Sequence, residues 1–92
     1  MMRLTVEDAL RKKKAEIWGW IAELRDIGKL KFIQLRDQTG ILQVIIKNPD
    51  EKMQKIFNSL NKDDYIKVRG ELVENTQAIN GKELIPEKID II

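Results

Sequence analysis

The chain has 92 residues, 42% apolar and 35% charged, with a formal net charge of +2, a composition that describes one small folded soluble domain and not a disordered segment. It holds no cysteine and no histidine, which excludes disulfides and thiolate metal sites and removes both the commonest general base and the commonest metal ligand. With no apolar run near the roughly 20 residues of a membrane span and no signal-peptide core at the start, the sequence predicts a cytoplasmic binding domain, not an enzyme, with no metal, no cofactor and no membrane partner.

Thr5 supplies a hydroxyl cap ahead of Glu7 and Asp8, so a short helix is predicted through Ala9 and Leu10 into the basic run Arg11-Lys12-Lys13-Lys14. Ala15 to Leu24 reads as a strand rich in large apolar residues, ended by Asp26-Ile27-Gly28. Trp18 and Trp20 share one face of it; Trp20 is read as packing, and Trp18 has no assigned role. Lys29 to Arg36 alternates, placing Phe32, Gln34 and Arg36 on one face and Ile33 and Leu35 on the other. Asp37-Gln38-Thr39-Gly40 is a turn, with Arg36-Asp37 read as its brace, and Ile41 to Lys47 is a third strand with Leu42, Val44 and Ile46 opposite Gln43.

Asn48-Pro49-Asp50-Glu51 is read as a helix opening with Asn48 as cap and Pro49 in first position. Met53, Ile56, Phe57 and Leu60 follow at helical spacing, a stripe that suits a helix closing one end of a barrel. Asp63-Asp64 ends it, and two alternating strands follow, Tyr65 to Glu74 and Glu83 to Ile92, around a polar turn from Asn75 to Gly81. The chain is therefore predicted to be mainly β: a five-stranded Greek-key barrel of the OB type, with a helix between the third and fourth strands and a short N-terminal helix. Residues 1–13 are read as that helix and the basic run, and residues 14–92 as the barrel domain.

Register turns this pattern into a candidate site. If Arg36 pairs with Ile41 across the turn, Gln34 faces Gln43, and Phe32 becomes a diagonal neighbour of Gln43, roughly 7–8 Å away. A slip of one residue would bury Gln43. Arg25 lies just upstream. A ring, a guanidinium and an amide on one sheet face are what is needed to stack, hold and read unpaired bases. The charge is placed to match: residues 1–47 carry ten Lys/Arg against six Asp/Glu, whereas residues 48–92 carry seven against nine. A local excess, more than the total, draws in phosphate, and Lys12, Lys13, Lys14 and Lys29 are the candidate phosphate contacts.

Gly19-Trp20, Arg25-Asp26-Ile27-Gly28, Phe32, Leu35-Arg36-Asp37, Gly40, Gln43-Val44 and the closing Glu83-Leu84-Ile85-Pro86-Glu87-Lys88-Ile89 occur together in an order and spacing that resembles the N-terminal anticodon-binding OB domain of the class II aminoacyl-tRNA synthetases for aspartate, asparagine and lysine. The likeness covers residues 14–92, is greatest to the aspartyl/asparaginyl pair, and in the closing segment is greatest to archaeal-type members. It implies a tRNA of the Asp or Asn type as partner, with Phe32 stacking on the central anticodon uridine and Gln43 hydrogen-bonding it. Arg25 and Glu83 would also lie at the anticodon site, Glu83 being read as a carboxylate on an edge strand. An amide, with donor and acceptor, suits the mixed edge of uracil, and a guanidinium suits phosphate or a base edge. The class II signature motifs and the catalytic domain are missing, so the segment is expected to be either excised from a synthetase or free-standing. Two other readings stand beside the anticodon module: a general single-strand nucleic-acid-binding OB protein, and an interaction or dimerisation module that meets a synthetase-like partner or a second copy of the chain.

Overall fold

The computed structural model describes residues 3–92. In chain order it has a two-residue strand β1 (Arg3–Leu4), helix α1 (Val6–Ala9), β2 (Lys14–Ile27), β3 (Leu30–Asp37), β4 (Gly40–Lys47), helix α2 (Glu51–Ser59), β5 (Tyr65–Glu74), a 3-10 turn (Ile79–Gly81) and β6 (Lys82–Ile91). The five long strands follow one another as β2-β3-β4-β6-β5, and β2 returns to β5 to close the barrel. The OB architecture read from the element order is the one observed. β1, which the sequence reading did not include, pairs in parallel with Glu16 and Ile17 of β2. Among the described residues no helix is long and apolar enough to cross a membrane.

Period-two alternation builds the interior. Ile17 and Ile21 of β2, Ile33 and Leu35 of β3, Leu42 and Val44 of β4, Ile66 and Val68 of β5 and Leu84 of β6 are all fully buried. Phe57 and Leu60 of the α2 region join this core, with Met53 and Ile56 packed against it, so the helical stripe closes one end of the barrel as its spacing predicts. Gly19 faces inward, and a Cβ there would lie 2.6 Å from the carbonyl oxygen of Arg36. The glycine of Gly19-Trp20 is thus required by the close approach of β3.

Three local details differ from the sequence reading, each for a physical reason. The cap of α2 is Asp50, whose carboxylate accepts from the Met53 amide at 2.8 Å; Pro49 therefore precedes the helix, and Asn48 adopts a positive φ of 48° in the strand exit. The first strand does not stop at Leu24. It runs to Ile27 and reverses through Gly28, at a φ of 62°, so that Ile27 pairs with Leu30. Within it, the register shifts between Ile21, paired with Leu35, and Glu23, paired with Gln34. Ala22 is the extra residue of a β-bulge, and beyond it the alternation is reset. Leu24 then pairs with inward Ile33, and Arg25 pairs with outward Phe32. Strict alternation from Ile21 would have sent Arg25 into the core.

Lys31 is the other departure from simple patterning. It alternates in phase with Ile33 and is only 2% exposed. Its ammonium donates to Asp26 at 2.7 Å and to the Gly28 carbonyl at 2.9 Å, and stands 5.2 Å from the Phe57 ring centroid. The charge is stabilised by partners that the hairpin and α2 supply together.

Asp37 ties α1 to the β3–β4 turn. One carboxylate oxygen accepts from the Val6 amide at 2.7 Å; the other accepts from the Thr39 amide and hydroxyl, each at 2.7 Å, and from the Gly40 amide at 3.2 Å. Thr39 Oγ1 also accepts from the Glu7 amide, and Thr5 Oγ1 from that of Asp8, so the first three amides of α1 are all satisfied. Burial pushes the Asp37 carboxyl upward, but these hydrogen bonds outweigh it and hold the pKa below its ordinary value. The reading of Asp37 as a turn brace agrees with this geometry, whereas Arg36 is exposed.

Asp37→Asn should cost about 2 kcal/mol at neutral pH, since hydrogen bonds to a charged acceptor contribute roughly 1.5–3 kcal/mol. Because the folded pKa is lowered, the carboxylate's share of stability is present above the unfolded value of about 3.9 and is lost as pH falls through the folded one. Urea unfolding across the acid range should show a constant gap between wild type and variant down to about pH 4 and a closing gap below it. A gap that persists at lower pH would contradict the assignment.

Candidate functional site

Arg25, Phe32, Gln34 and Gln43 stand on the outer face of the β2-β3-β4 sheet. Arg25 pairs directly with Phe32, Gln34 pairs with Gln43, and Ile45, which pairs with Phe32, is buried. Phe32 is therefore the diagonal neighbour of Gln43 that the turn requires. Its ring is half-buried, and the Arg25 guanidinium carbon lies 6.0 Å from the ring centroid, near the outer limit of a cation–π contact. With Glu23, these residues line a small hollow of about 60 Å³.

Glu83 corrects the edge-strand expectation. β6 lies between β4 and β5, and Glu83 pairs in parallel with Gln43. Glu83 is 3% exposed, and its Oε2 accepts from Gln43 Nε2 at 3.0 Å and from Asn75 Nδ2 at 3.1 Å. Asn75, which sequence reasoning did not single out, also accepts from the Gln77 amide at 3.0 Å, anchoring the turn between β5 and β6. Its position at the head of a polar turn is an asparagine signal, but its partner eight residues on is visible only in the fold.

The basic candidates are separated. Lys29 lies in the turn between β2 and β3, beside the Arg25–Phe32 end of the sheet. Lys12, Lys13 and Lys14 precede or begin β2 at its other end, where Lys14 pairs with Glu71. A second aromatic group also lies away from Phe32. Trp20, 43% exposed, packs against Tyr65 with ring centroids 4.8 Å apart and planes tilted by 50°, and the half-buried Trp18 ring lies 6.2 Å from Tyr65. These three rings border a hollow of about 370 Å³ with Thr5 and Asp8. Trp20 packs, as read, but on the outside of the barrel. Chemically, the Arg25–Phe32–Gln43 face offers stacking, a fixed positive charge and an amide hydrogen-bonding edge, the set suited to an unpaired base.

The sequence of residues 15–92 matches a family described as the OB-fold nucleic acid binding domain of the tRNA anticodon type. The aspartate–tRNA(Asp) ligase of Pyrococcus abyssi is 37% identical over 89 residues, covering 95% of this chain and 20% of that protein. The aspartate–tRNA(Asp/Asn) ligase of Methanoculleus marisnigri is 38% identical over 82 residues, covering 87% of this chain and 19% of the ligase. The crystal structure of asparaginyl-tRNA synthetase from Pyrococcus horikoshii complexed with asparaginyl-adenylate is similar with a TM-score of 0.86 at 26% identity, covering 100% of this chain and 22% of that one. The chain spans about a fifth of the length of the curated relatives it matches.

The outward placement of Phe32 has a direct consequence for stability. Phe32→Ala should cost about 1 kcal/mol, well under the roughly 3–5 kcal/mol expected for a buried phenylalanine such as Phe57. Urea midpoints of the two alanine variants, measured side by side, check the ordering; equal losses would place the Phe32 ring in the core.

Proposed function

The chain belongs to the OB-fold nucleic acid binding domains of the tRNA anticodon type, and from that membership we propose that it binds the anticodon loop of a tRNA of the Asp or Asn type. In this reading Phe32 stacks on the central anticodon uridine, Gln43 hydrogen-bonds its edge, and Arg25 holds a neighbouring phosphate or base edge. The observation that supports it is the register: Arg25, Phe32 and Gln43 come from three different strands and meet on one outward face. Stacking supplies affinity without choosing a base, and the amide supplies the choice. The relatives' names attribute ligation of aspartate to tRNA to proteins about five times as long. These 92 residues match only a fifth of that length, so the ligase activity is not assigned to them, and the work of this domain is recognition, placed by the same reading in the cytoplasm.

Lys29, beside the Phe32 end, is proposed as the phosphate contact nearest the loop. Lys12, Lys13 and Lys14 stand at the far end of β2 and would meet only a more distant part of a full tRNA. Fluorescence anisotropy at fixed salt, with stem-loops differing only at the central loop base, should show uridine bound most tightly, and Phe32→Ala should weaken every ligand by about 1–3 kcal/mol. The Lys12/Lys13/Lys14 triple alanine variant should lower affinity for intact tRNA and flatten its salt dependence, by about 0.7–0.9 in logarithmic slope for each phosphate no longer neutralised, while leaving base preference unchanged. Equal affinity for all four central bases would remove the anticodon reading and favour a general single-strand binder.

A further inference from the structure

Resting on the anticodon reading, we propose that the buried Lys31 is a positioning residue: it locks the β2–β3 turn against the barrel, so that Lys29 is already in place when it meets the RNA phosphate.

Position 31 has the surroundings of an apolar residue. Ile33 and Leu35, its neighbours in phase, are fully buried, and Lys31 is itself 2% exposed. A methionine would fill the same slot without taking a charge out of water. What a methionine cannot do is donate. The Lys31 ammonium donates to Asp26, its direct partner across the β2–β3 ladder, at 2.7 Å and to the Gly28 carbonyl at 2.9 Å. The Phe57 ring of α2 lies 5.2 Å from it, within the range of a cation–π contact.

The turn consists of Gly28 and Lys29, between the closing pair Ile27–Leu30. Its two carbonyls are held from different elements. That of Gly28 accepts from Lys31 inside the barrel end, and that of Lys29 accepts from the Asn48 amide at 2.7 Å, where β4 ends. Gly28 has the positive φ of 62° and, as a glycine, the most backbone freedom to lose. Without these outside bonds the turn would be the loosest point of the hairpin.

Held in this way, the exposed Lys29 stands beside the Arg25–Phe32 end of the sheet. With Asn48, Pro49 and Gln54, the turn borders an open hollow of about 280 Å³ whose described lining carries no carboxylate. A phosphate can reach Lys29 there without meeting a like charge. Locking the turn moves the entropy cost of ordering it from binding to folding, which tightens the complex although Lys31 never touches the ligand.

Lys31→Met tests this, and it strands no buried charge, because Asp26 is half exposed. Affinity for a synthetic stem-loop with U at the central loop position is measured at fixed salt, at a temperature where every variant is folded. Lys31→Met should weaken binding about three- to tenfold, the scale of re-ordering a short loop and one long side chain. In a Lys29→Ala background the same substitution should change affinity by less than about twofold, within the scatter of additive effects. A contribution from charge alone, or from a general loosening of the barrel, would persist in that background. Preference for U over C should be unchanged, since phosphate contacts carry no sequence information.

If wild type prefers U and Lys31→Met binds as tightly, or loses as much without Lys29 as with it, the positioning role is overturned and the anticodon reading stands. If wild type shows no preference, the anticodon reading fails and this inference with it. A measurement without RNA covers the case in which Lys31→Met does not fold. In NMR spectra of the wild-type domain near neutral pH, the Lys31 ammonium protons should exchange slowly enough with water to give a resolved signal, unlike those of the exposed Lys29 and Lys47. Equally fast exchange for all three would overturn the lock directly.

Discussion

Besides the antiparallel β2–β5 ladder, the barrel closes through a short parallel seam, in which Gln43 pairs with Glu83 and Val44 with Leu84. The Gln43 corner of the candidate site is built on it. The meander of β2, β3 and β4 is joined by tight turns and is local in sequence, and β5 and β6 form their own antiparallel ladder. Only at the seam do residues 40 apart in the chain bring a carboxylate against the amide of Gln43. Non-local pairing of this kind is costly in chain entropy until the surrounding core has formed. Val44 and Leu84, both fully buried, place apolar burial at the same point, so the seam is held from inside by the core and from outside by the side-chain hydrogen bond.

Much of this was legible in the sequence where a single physical rule was acting. The turn from Asp37 to Gly40 determined which residue faced which, and Phe32 and Gln43 emerged as diagonal neighbours from alternation alone. The apolar stripe of α2 was equally plain. What escaped was whatever depended on a partner far along the chain or on an irregularity. Glu83 read as an edge carboxylate because nothing local says that β6 inserts between β4 and β5. Asn48 outranked Asp50 as a helix cap because a proline after it imitates a helix start; the extended backbone through Asp50 decides otherwise. Lys31 has the phase of a core residue and the chemistry of a surface one. Its phase prevailed, because Asp26, Gly28 and Phe57 converge on its ammonium.

The charge asymmetry of the chain also looks different in three dimensions. Much of the basic character of the first 47 residues lies in the run from Arg11 to Lys14, at the opposite end of β2 from Arg25 and Phe32. Of the remaining lysines, Lys31 is enclosed and engaged. The charged groups at the sheet face are therefore few: Arg25, Arg36 and Lys29, with Glu23 and the Glu83 carboxylate opposing them. Positive and negative groups largely offset one another there.

The bulge at Ala22 gives the chain an unusual kind of constraint. Ala22 makes none of the contacts that characterise the face, yet because the ladder leaves it unpaired, Arg25 falls outward beside Phe32. What decides the facing at that point is pairing and not side-chain identity. Absorbing Ala22 into regular alternation would reverse every side chain from Glu23 to Ile27 and exchange Leu24 for Arg25 in the interior, whereas a strand one residue shorter there would keep the same facing with no bulge. Comparison by residue identity would pass over such a position, whose mark is a difference of one in strand length between Ile21 and Glu23.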